Sequence, residues 1–443
     1  MNKLKKMFVG LGAFQCVLLL IAYLFLFFYK SDLLLIILFV YSLFLGFFII
    51  ENKEKKLFAN NTSLIFLLFL FLYGVFNCII SYVFLGAISD EIYHPTVFYA
   101  ISIPALLLGI LSKKNKNFYP DIYESNISSD KQSPYANFLK QVLLVILIAY
   151  KTYFFYSAGL LFTFNSLGTE NRLEMFSNVG QIDIVVGLLI IGLFSYFVYY
   201  YKKLSRKTMF FVSGLLFYYI IMQLSVGNRR DFVPILIGIF WVIVNVKRIK
   251  FGILGFTAIL FAVFIFNYLG TLRNTLGEKG GDKEDNLMIT MTSNEFVYPF
   301  FTLTYEVEQS KKQPNNYNFQ YGTTYLINPV LILIPRAIYP GKPNSLANEF
   351  LERKYGRNKT IGFAYNPVTE SFVNFGYFGS FLVFFLLGRF LVFLSNYKNQ
   401  VFNFLIFITL IDFCRGEMGT YLYQFLFVSI FLLLHRKKNE NSF

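Results

Sequence analysis

Apolar stretches of roughly bilayer length recur from one end of this chain to the other, and nothing constrains its fold more. The first runs from Met7 to Tyr29 and the next from Leu33 to Ile50, with only Lys30–Asp32 between them. Within hydrocarbon every backbone polar group must find its partner inside the structure, so only helices and closed barrels cross it. Long uninterrupted apolar runs, rather than short segments of alternating polarity, select helices. Charged residues make up 15% of the chain, well below the ~25% of soluble domains. The expected fold class is an all-α polytopic membrane protein.

The runs predict twelve transmembrane helices: Met7–Tyr29, Leu33–Ile50, Ser63–Ala87, Val97–Leu111, Phe138–Phe162, Ile182–Tyr201, Met209–Val226, Phe232–Val246, Phe251–Leu269, Phe375–Leu394, Val401–Phe413 and Tyr421–Leu434. Basic residues collect in alternate connections: Lys53, Lys55 and Lys56; Lys113, Lys114, Lys116 and Lys131; Lys202, Lys203, Arg206 and Lys207; Lys247, Arg248 and Lys250; and Arg436, Lys437 and Lys438. By the positive-inside bias these lie inside, which places both termini in the cytoplasm. A net charge of +15 distributed in this way is a topology signal, so no nucleic acid is expected as a partner; the lipid bilayer is. The first run is too long for a signal-peptide core and lacks a small-residue cleavage pattern. Cys16, Cys78 and Cys414 fall in or at the ends of apolar runs and read as small hydrophobes. His94 and His435 carry no ligand spacing, so no metal or other cofactor is expected.

One connection is unlike the rest. The chain divides into transmembrane helices one to nine (1–269), a large extracytoplasmic loop (270–374), and helices ten to twelve with a cytoplasmic tail (375–443). A connection this long holds structure or function of its own. In "KPNSLANEFLERKYG", Ser345 is placed to cap a short helix that Gly356 ends. Asn366 and Pro367 look like an N-cap and first helical position leading into the tenth span. "TTYLINPVLILIP", Thr323–Pro335, is apolar but too short to span, and suits the membrane interface or a re-entrant half-helix.

Within the apolar pattern, "SVGNRRDFVPI" (Ser225–Ile235) stands out. Arg229 and Arg230 meet a single Asp231 on the face where positive charge is disfavoured. Pairing of Arg229 with Asp231, or snorkelling to headgroups, is the ordinary explanation. The remaining positive charge points instead to an anion, and guanidinium matches phosphate oxygens in bidentate fashion. Arg172, Arg273, Arg336 and Lys342, and Arg415 beside Glu417, add cations from the other outer connections, four connections in all. A pyrophosphate-binding set of Arg172, Arg229, Arg230, Arg273, Arg336 and Lys342 follows. Lys151, deep in the fifth span, is a further candidate because intramembrane charge is costly.

"GNRRDF" at the end of a span, "IPRAIYPGKPNS" in the large loop and "NPVTESFVNFGYFG" leading into the next span together resemble the oligosaccharide repeat-unit polymerases, the Wzy-type O-antigen and capsule polymerases of bacteria. The resemblance implies glycosyl transfer on the outer face of the bacterial inner membrane. There a glycan on undecaprenyl pyrophosphate passes to a second lipid-linked repeat unit. It also implies a chain-length regulator and a flippase as partners. Arg230 and Arg336 would act on the departing pyrophosphate, and Glu370, within "TESFVNFG", is favoured as the base that takes the acceptor proton, with Asp231 and Glu417 behind it. Near the start of its helix Glu370 could equally be a simple helix-terminus charge. Tyr339 and Tyr365, like Tyr321 and Tyr325, could stack on sugars or form an interfacial belt. An O-antigen ligase shares this architecture, and a lipid-linked oligosaccharide flippase would suit twelve spans, but no inverted repeat is visible. No outer Asp-x-Asp occurs, so transfer is expected to be metal-independent.

Overall fold

The computed structural model describes residues 2–54, 62–75, 78–79, 82, 86–112, 134–157, 159, 161, 181–225, 231–247, 297–331, 334, 338–356, 365–396 and 400–436. Among them the ordered elements are helices, with no strand. The first half carries α1 (Asn2–Phe28), α2 (Asp32–Glu54), α3 (Thr62–Leu70), α4 (Asp90–Ser112), α5 (Pro134–Ser157), α6 (Gln181–Tyr199), α7 (Arg206–Ser225) and α8 (Val233–Lys247). Within the expected loop lie α9 (Val297–Lys312), the single turns α10 (Thr323–Leu326) and α11 (Asn328–Leu331), α12 (Leu346–Tyr355) and α13 (Pro367–Phe375). The chain closes with α14 (Gly379–Asn396), α15 (Gln400–Arg415) and α16 (Met418–Arg436).

Six stretches are long and apolar enough to cross a membrane by length and composition: those of α1, α2, α4, α5 and α7, and Pro367–Phe393 across α13 and α14. Shorter apolar helices cover Asp183–Tyr199, Val233–Ile243, Val401–Leu410 and Met418–Leu433. The expected ninth span, Phe251–Leu269, lies outside the described residues, as does all of 270–296. Three boundaries differ from expectation. α4 begins at Asp90 rather than Val97, with Pro95 and Pro104 inside it and most of its side chains from Tyr93 to Ile110 buried against neighbours. The third span passes from α3 into a π-helical turn, Phe71–Val75, where Gly74 makes room for the Tyr99 ring. The tenth is broken at Gly376, whose φ of +60° ends α13 before α14 begins.

The buried side chains form two main clusters. One joins α1–α4, α9, α13 and α14; the other joins α5–α8 and α16. α15 belongs to both. Ile406, Leu410 and Cys414, four residues apart, face the first cluster, while Val401, Phe404, Leu405 and Ile408 face the second. All three cysteines are buried and free.

Apolar side chains gain little by meeting each other in lipid, so close backbone approach has to hold spans together. The α4–α14 contact shows this. A Cβ on Gly109 would lie 2.1 Å from the Phe385 carbonyl oxygen, and one on Gly388 would lie 2.1 Å from that of Leu106. Gly388→Ala should therefore push the helices apart and cost about 1–3 kcal/mol. Thermal unfolding in detergent checks it, with Gly214→Ala as control, since nothing lies within 4 Å of a Cβ there.

Contacts between connections agree with alternating helix directions. Lys30, between α1 and α2, bonds the Ile88 carbonyl before α4 and Asp90 at its start. Late in α5, Lys151 meets Asp183 at the start of α6 and Asp231 before α8. At the opposite end Asn137 and Gln141, early in α5, bond Tyr196 late in α6 and Thr208 early in α7.

Candidate functional site

Short elements of the loop are joined to the α15–α16 turn through two buried carboxylates. Their local folding is set by caps. Ser345 accepts the Asn348 amide to start α12, and Gly356, at φ +76°, ends it. Asn366 accepts the Thr369 amide at 2.8 Å to start α13, with Pro367 at the position where a missing N–H costs nothing. The Asn366 side-chain amide also meets the Tyr99 hydroxyl of α4, fixing α13 on the bundle.

α13 turns Glu370 inward, where it is 1% exposed. Its Oε1 accepts from Thr324 Oγ1 at 2.7 Å, and its Oε2 accepts from Met418 N, the first residue of α16, at 2.8 Å. Glu417 repeats the arrangement. Its Oε2 accepts from Leu346 N, the first residue of α12, at 2.7 Å, and its Oε1 from Thr420 Oγ1 at 3.0 Å. Each carboxylate takes up an N–H that a helix start leaves without an intrahelical partner, at the positive end of a helix dipole. Burial pushes the Glu417 carboxyl up from the usual carboxylate range. Asn374 completes the joint: its Nδ2 donates to Thr324 Oγ1 at 2.7 Å and its Oδ1 accepts from Gly322 N at 2.8 Å. α10 and α11 pack on α16 and leave Leu326, Ile327 and Val330 exposed, as an interfacial segment would.

A third carboxylate, Glu306 on α9, has no exposed surface. Arg353 of α12 grips it from two nitrogens, at 2.6 and 3.4 Å, and the hydroxyls of Tyr317 and Tyr365 both donate to it. Burial, together with this carboxylate, drives both phenols well above their ordinary range, so they stay protonated donors. Lys354 covers the rings of Phe301 and Tyr305, its Nζ 3.5 Å from the Phe301 centroid.

The fourth group lies between α5, α6, α7 and the residue that follows the arginine pair. Lys151 is 2.7 Å from Asp183 and 3.5 Å from Asp231, and Tyr219 and Gln223 also donate to Asp231. Asp231 therefore pairs with Lys151, and Lys151 is an interior charge rather than the sign of a span ending.

Among the sequence candidates, Arg172, Arg229, Arg230, Arg273 and Arg336 lie outside the described residues. The flanks of two of these stretches, those of Arg229–Arg230 and of Arg336, are described. Gln223 Nε2 donates to Asp231 Oδ2 at 3.3 Å, and Lys342 Nζ donates to the Ile334 carbonyl at 3.0 Å. At these two stretches, residues eight apart on either side of the arginines are thus bonded to one another. Tyr339 is 42% exposed and Tyr321 77%, both open to a ligand. Tyr365 is 1% exposed, its ring packed on Phe350 and its hydroxyl on Glu306, so it offers no face for a sugar to stack on. Glu370 and Glu417 share one joint, while Asp231 belongs to the Lys151 group.

Sequence reading passed over Glu306, Arg353 and Asp183. Asp183, in "GQIDIVVG" at the start of an apolar run, carried the same intramembrane-charge signal as Lys151. Glu306, in "TYEVEQSKK", had none, since the run around it is polar. A cavity of about 330 Å³ is largely apolar, lined by residues such as Phe197, Tyr201, Met209 and Val242 at the far end of α6–α8 from Asp231. No charged side chain lines it. Among the described residues no three His, Cys, Asp or Glu side chains are grouped to hold a metal ion.

Residues 12–437 match the family model described as O-antigen polysaccharide polymerase Wzy. No curated protein matches the chain, and no solved structure does.

Proposed function

The chain belongs to the O-antigen polysaccharide polymerase Wzy family, polytopic proteins of the bacterial inner membrane that polymerise lipid-linked repeat units, and on that premise we propose how it does so. The donor is a growing glycan on undecaprenyl pyrophosphate and the acceptor is a second lipid-linked repeat unit, both at the outer face. The bond from the donor's reducing sugar to pyrophosphate oxygen breaks, a bond from that sugar carbon to an acceptor hydroxyl oxygen forms, and the acceptor proton passes to water at the outer face. Undecaprenyl pyrophosphate departs with increased negative charge. Cations fixed beside it lower the barrier. Arg230 and Arg336 are assigned this task, with Arg172, Arg229, Arg273 and Lys342 holding the diphosphate. The observation that carries the reading is the family match over nearly the whole chain. The bonds joining residues on either side of Arg229–Arg230 and of Arg336 support the assignment of those three arginines. Both termini are assigned to the cytoplasm, with twelve spans and a single large outer loop of 270–374. A chain-length regulator and a flippase are the proposed partners, and transfer is proposed to need no metal.

For Glu370 two roles separate. To take a proton from the acceptor, the turn carrying Thr324 must lift away, because both carboxylate oxygens are engaged. As a joint between α13, α10 and α16 it needs no movement, and this is the role we assign. Glu370→Gln keeps an acceptor for Thr324 and loses the charge facing α16. Its melting temperature and turnover should fall together, with turnover down by less than the ~100-fold that loss of a general base costs. Unchanged melting with a larger loss would return Glu370 to the role of base.

Incubation of the purified protein with a lipid-linked repeat unit tests the function as a whole. A ladder of glycan lengths is expected. Transfer only to a different acceptor would mean a ligase, and movement across the bilayer without bond formation a flippase.

A further inference from the structure

The Arg229–Arg230 pair adjoins a buried charge group that the transfer step itself does not use. Asp231 follows Arg230 directly, so their Cα atoms are ~3.8 Å apart. Asp231 is gripped from two helices: by Lys151 of α5 at 3.5 Å, and by Tyr219 and Gln223 of α7 at 3.4 and 3.3 Å. Lys151 is itself tied to Asp183 of α6 at 2.7 Å, with side chains 2% and 6% exposed. α6 leaves room for the group through Gly187, where a Cβ would come within 3.0 Å of Asp231 Oδ2 and 3.5 Å of Lys151 Nζ. The Gln223–Asp231 bond ties the end of α7 to the residue that directly follows the arginine pair.

We propose that Lys151 and Asp183 are positioning residues for glycosyl transfer. By fixing Asp231 they set where Arg229 and Arg230 stand relative to the diphosphate. This rests on the anion-binding assignment of those arginines. The alternative is that Lys151 serves only to neutralise Asp183 inside the fold, and the two roles predict different behaviour when both charges are removed together.

The test compares wild type, Lys151→Met, Lys151→Arg, the double variant Lys151→Leu with Asp183→Leu, and Arg230→Ala, each reconstituted in liposomes with a polyprenyl-pyrophosphate-linked repeat unit. Three quantities are read: kcat and KM from the glycan ladder, inhibition by free polyprenyl pyrophosphate, and melting temperature. Lys151→Met should lower kcat by about tenfold, short of the ~100-fold that misplacement by a full ångström costs, and weaken the inhibition. Lys151→Arg should restore both. The double variant leaves Asp231 without its cation but buries no unpaired charge at Asp183. It should melt close to wild type and still show the loss, which keeps the test valid if Lys151→Met misfolds. A double variant with wild-type kcat and inhibition overturns the proposal. Full polymerisation by Arg230→Ala overturns the arginine assignment itself. Loss in Arg230→Ala with none in the Lys151 variants overturns the positioning role alone.

Discussion

Long glycan should disappear from membranes that carry Arg230→Ala or Arg336→Ala, while the protein stays inserted and abundant. Removing one fixed donor from a developing charge costs about 100- to 1,000-fold in turnover, enough to erase a polymer that needs many successive transfers. Arg230→Lys keeps the charge and loses the bidentate fork, so it should retain only part of the activity. Stability should hardly change, because both positions fall between helices, after α7 and after α11. The measurement is the glycan ladder in reconstituted membranes beside quantified protein. Normal ladders from both alanine variants would show that the outer cations serve only topology and headgroups.

A second large effect is expected in stability. Arg353→Met leaves the Glu306 carboxylate fully buried with only two phenol donors. Stranding a buried charge costs about 3–5 kcal/mol, and the lower end applies because the Arg353 side chain is 43% exposed. α12 should detach from α9, which limited proteolysis would detect near Leu346–Tyr355 alongside a lowered melting temperature. Adding Glu306→Leu removes the stranded charge but leaves Tyr317 and Tyr365 without their acceptor. Recovery should therefore require Phe at both positions as well. A single Arg353→Met variant that melts like wild type would mean that Glu306 is stabilised by its tyrosines alone.

How far the sequence revealed this protein depends on the range of the interaction that matters. Local devices were legible. Ser345 and Gly356 bound α12, and Asn366 and Pro367 open α13, because caps act within a turn of the residue that supplies them. Thr323–Pro335 was too short to cross, and its described part forms two single turns on the surface of α16. The break at Gly376 was hidden, since a glycine within an apolar run is common and only the backbone shows its positive φ. Glu370 stood out by its segment, but its enclosure depends on Thr324 and Met418, 46 and 48 residues away. Tyr365 shows the same limit: residue type cannot separate a sugar platform from a phenol that serves a buried carboxylate. Lys151 drew attention by its cost in hydrocarbon, yet its partner Asp183 was readable on equal grounds and was missed.

The α4–α14 contact has a consequence for how the molecule is made. Ser380 bonds the carbonyl of Phe98 across 282 residues of chain, beside the Gly109 and Gly388 contacts. At roughly 5–20 residues per second, α4 waits tens of seconds after it leaves the ribosome before its partner is synthesised. Throughout that interval the Gly109 surface faces lipid or the insertion machinery. Nascent chains stalled before α14 should accordingly be prime targets for membrane proteases and chaperones, and slowing translation should lower the yield of finished polymerase more than that of a helical bundle built from sequence neighbours.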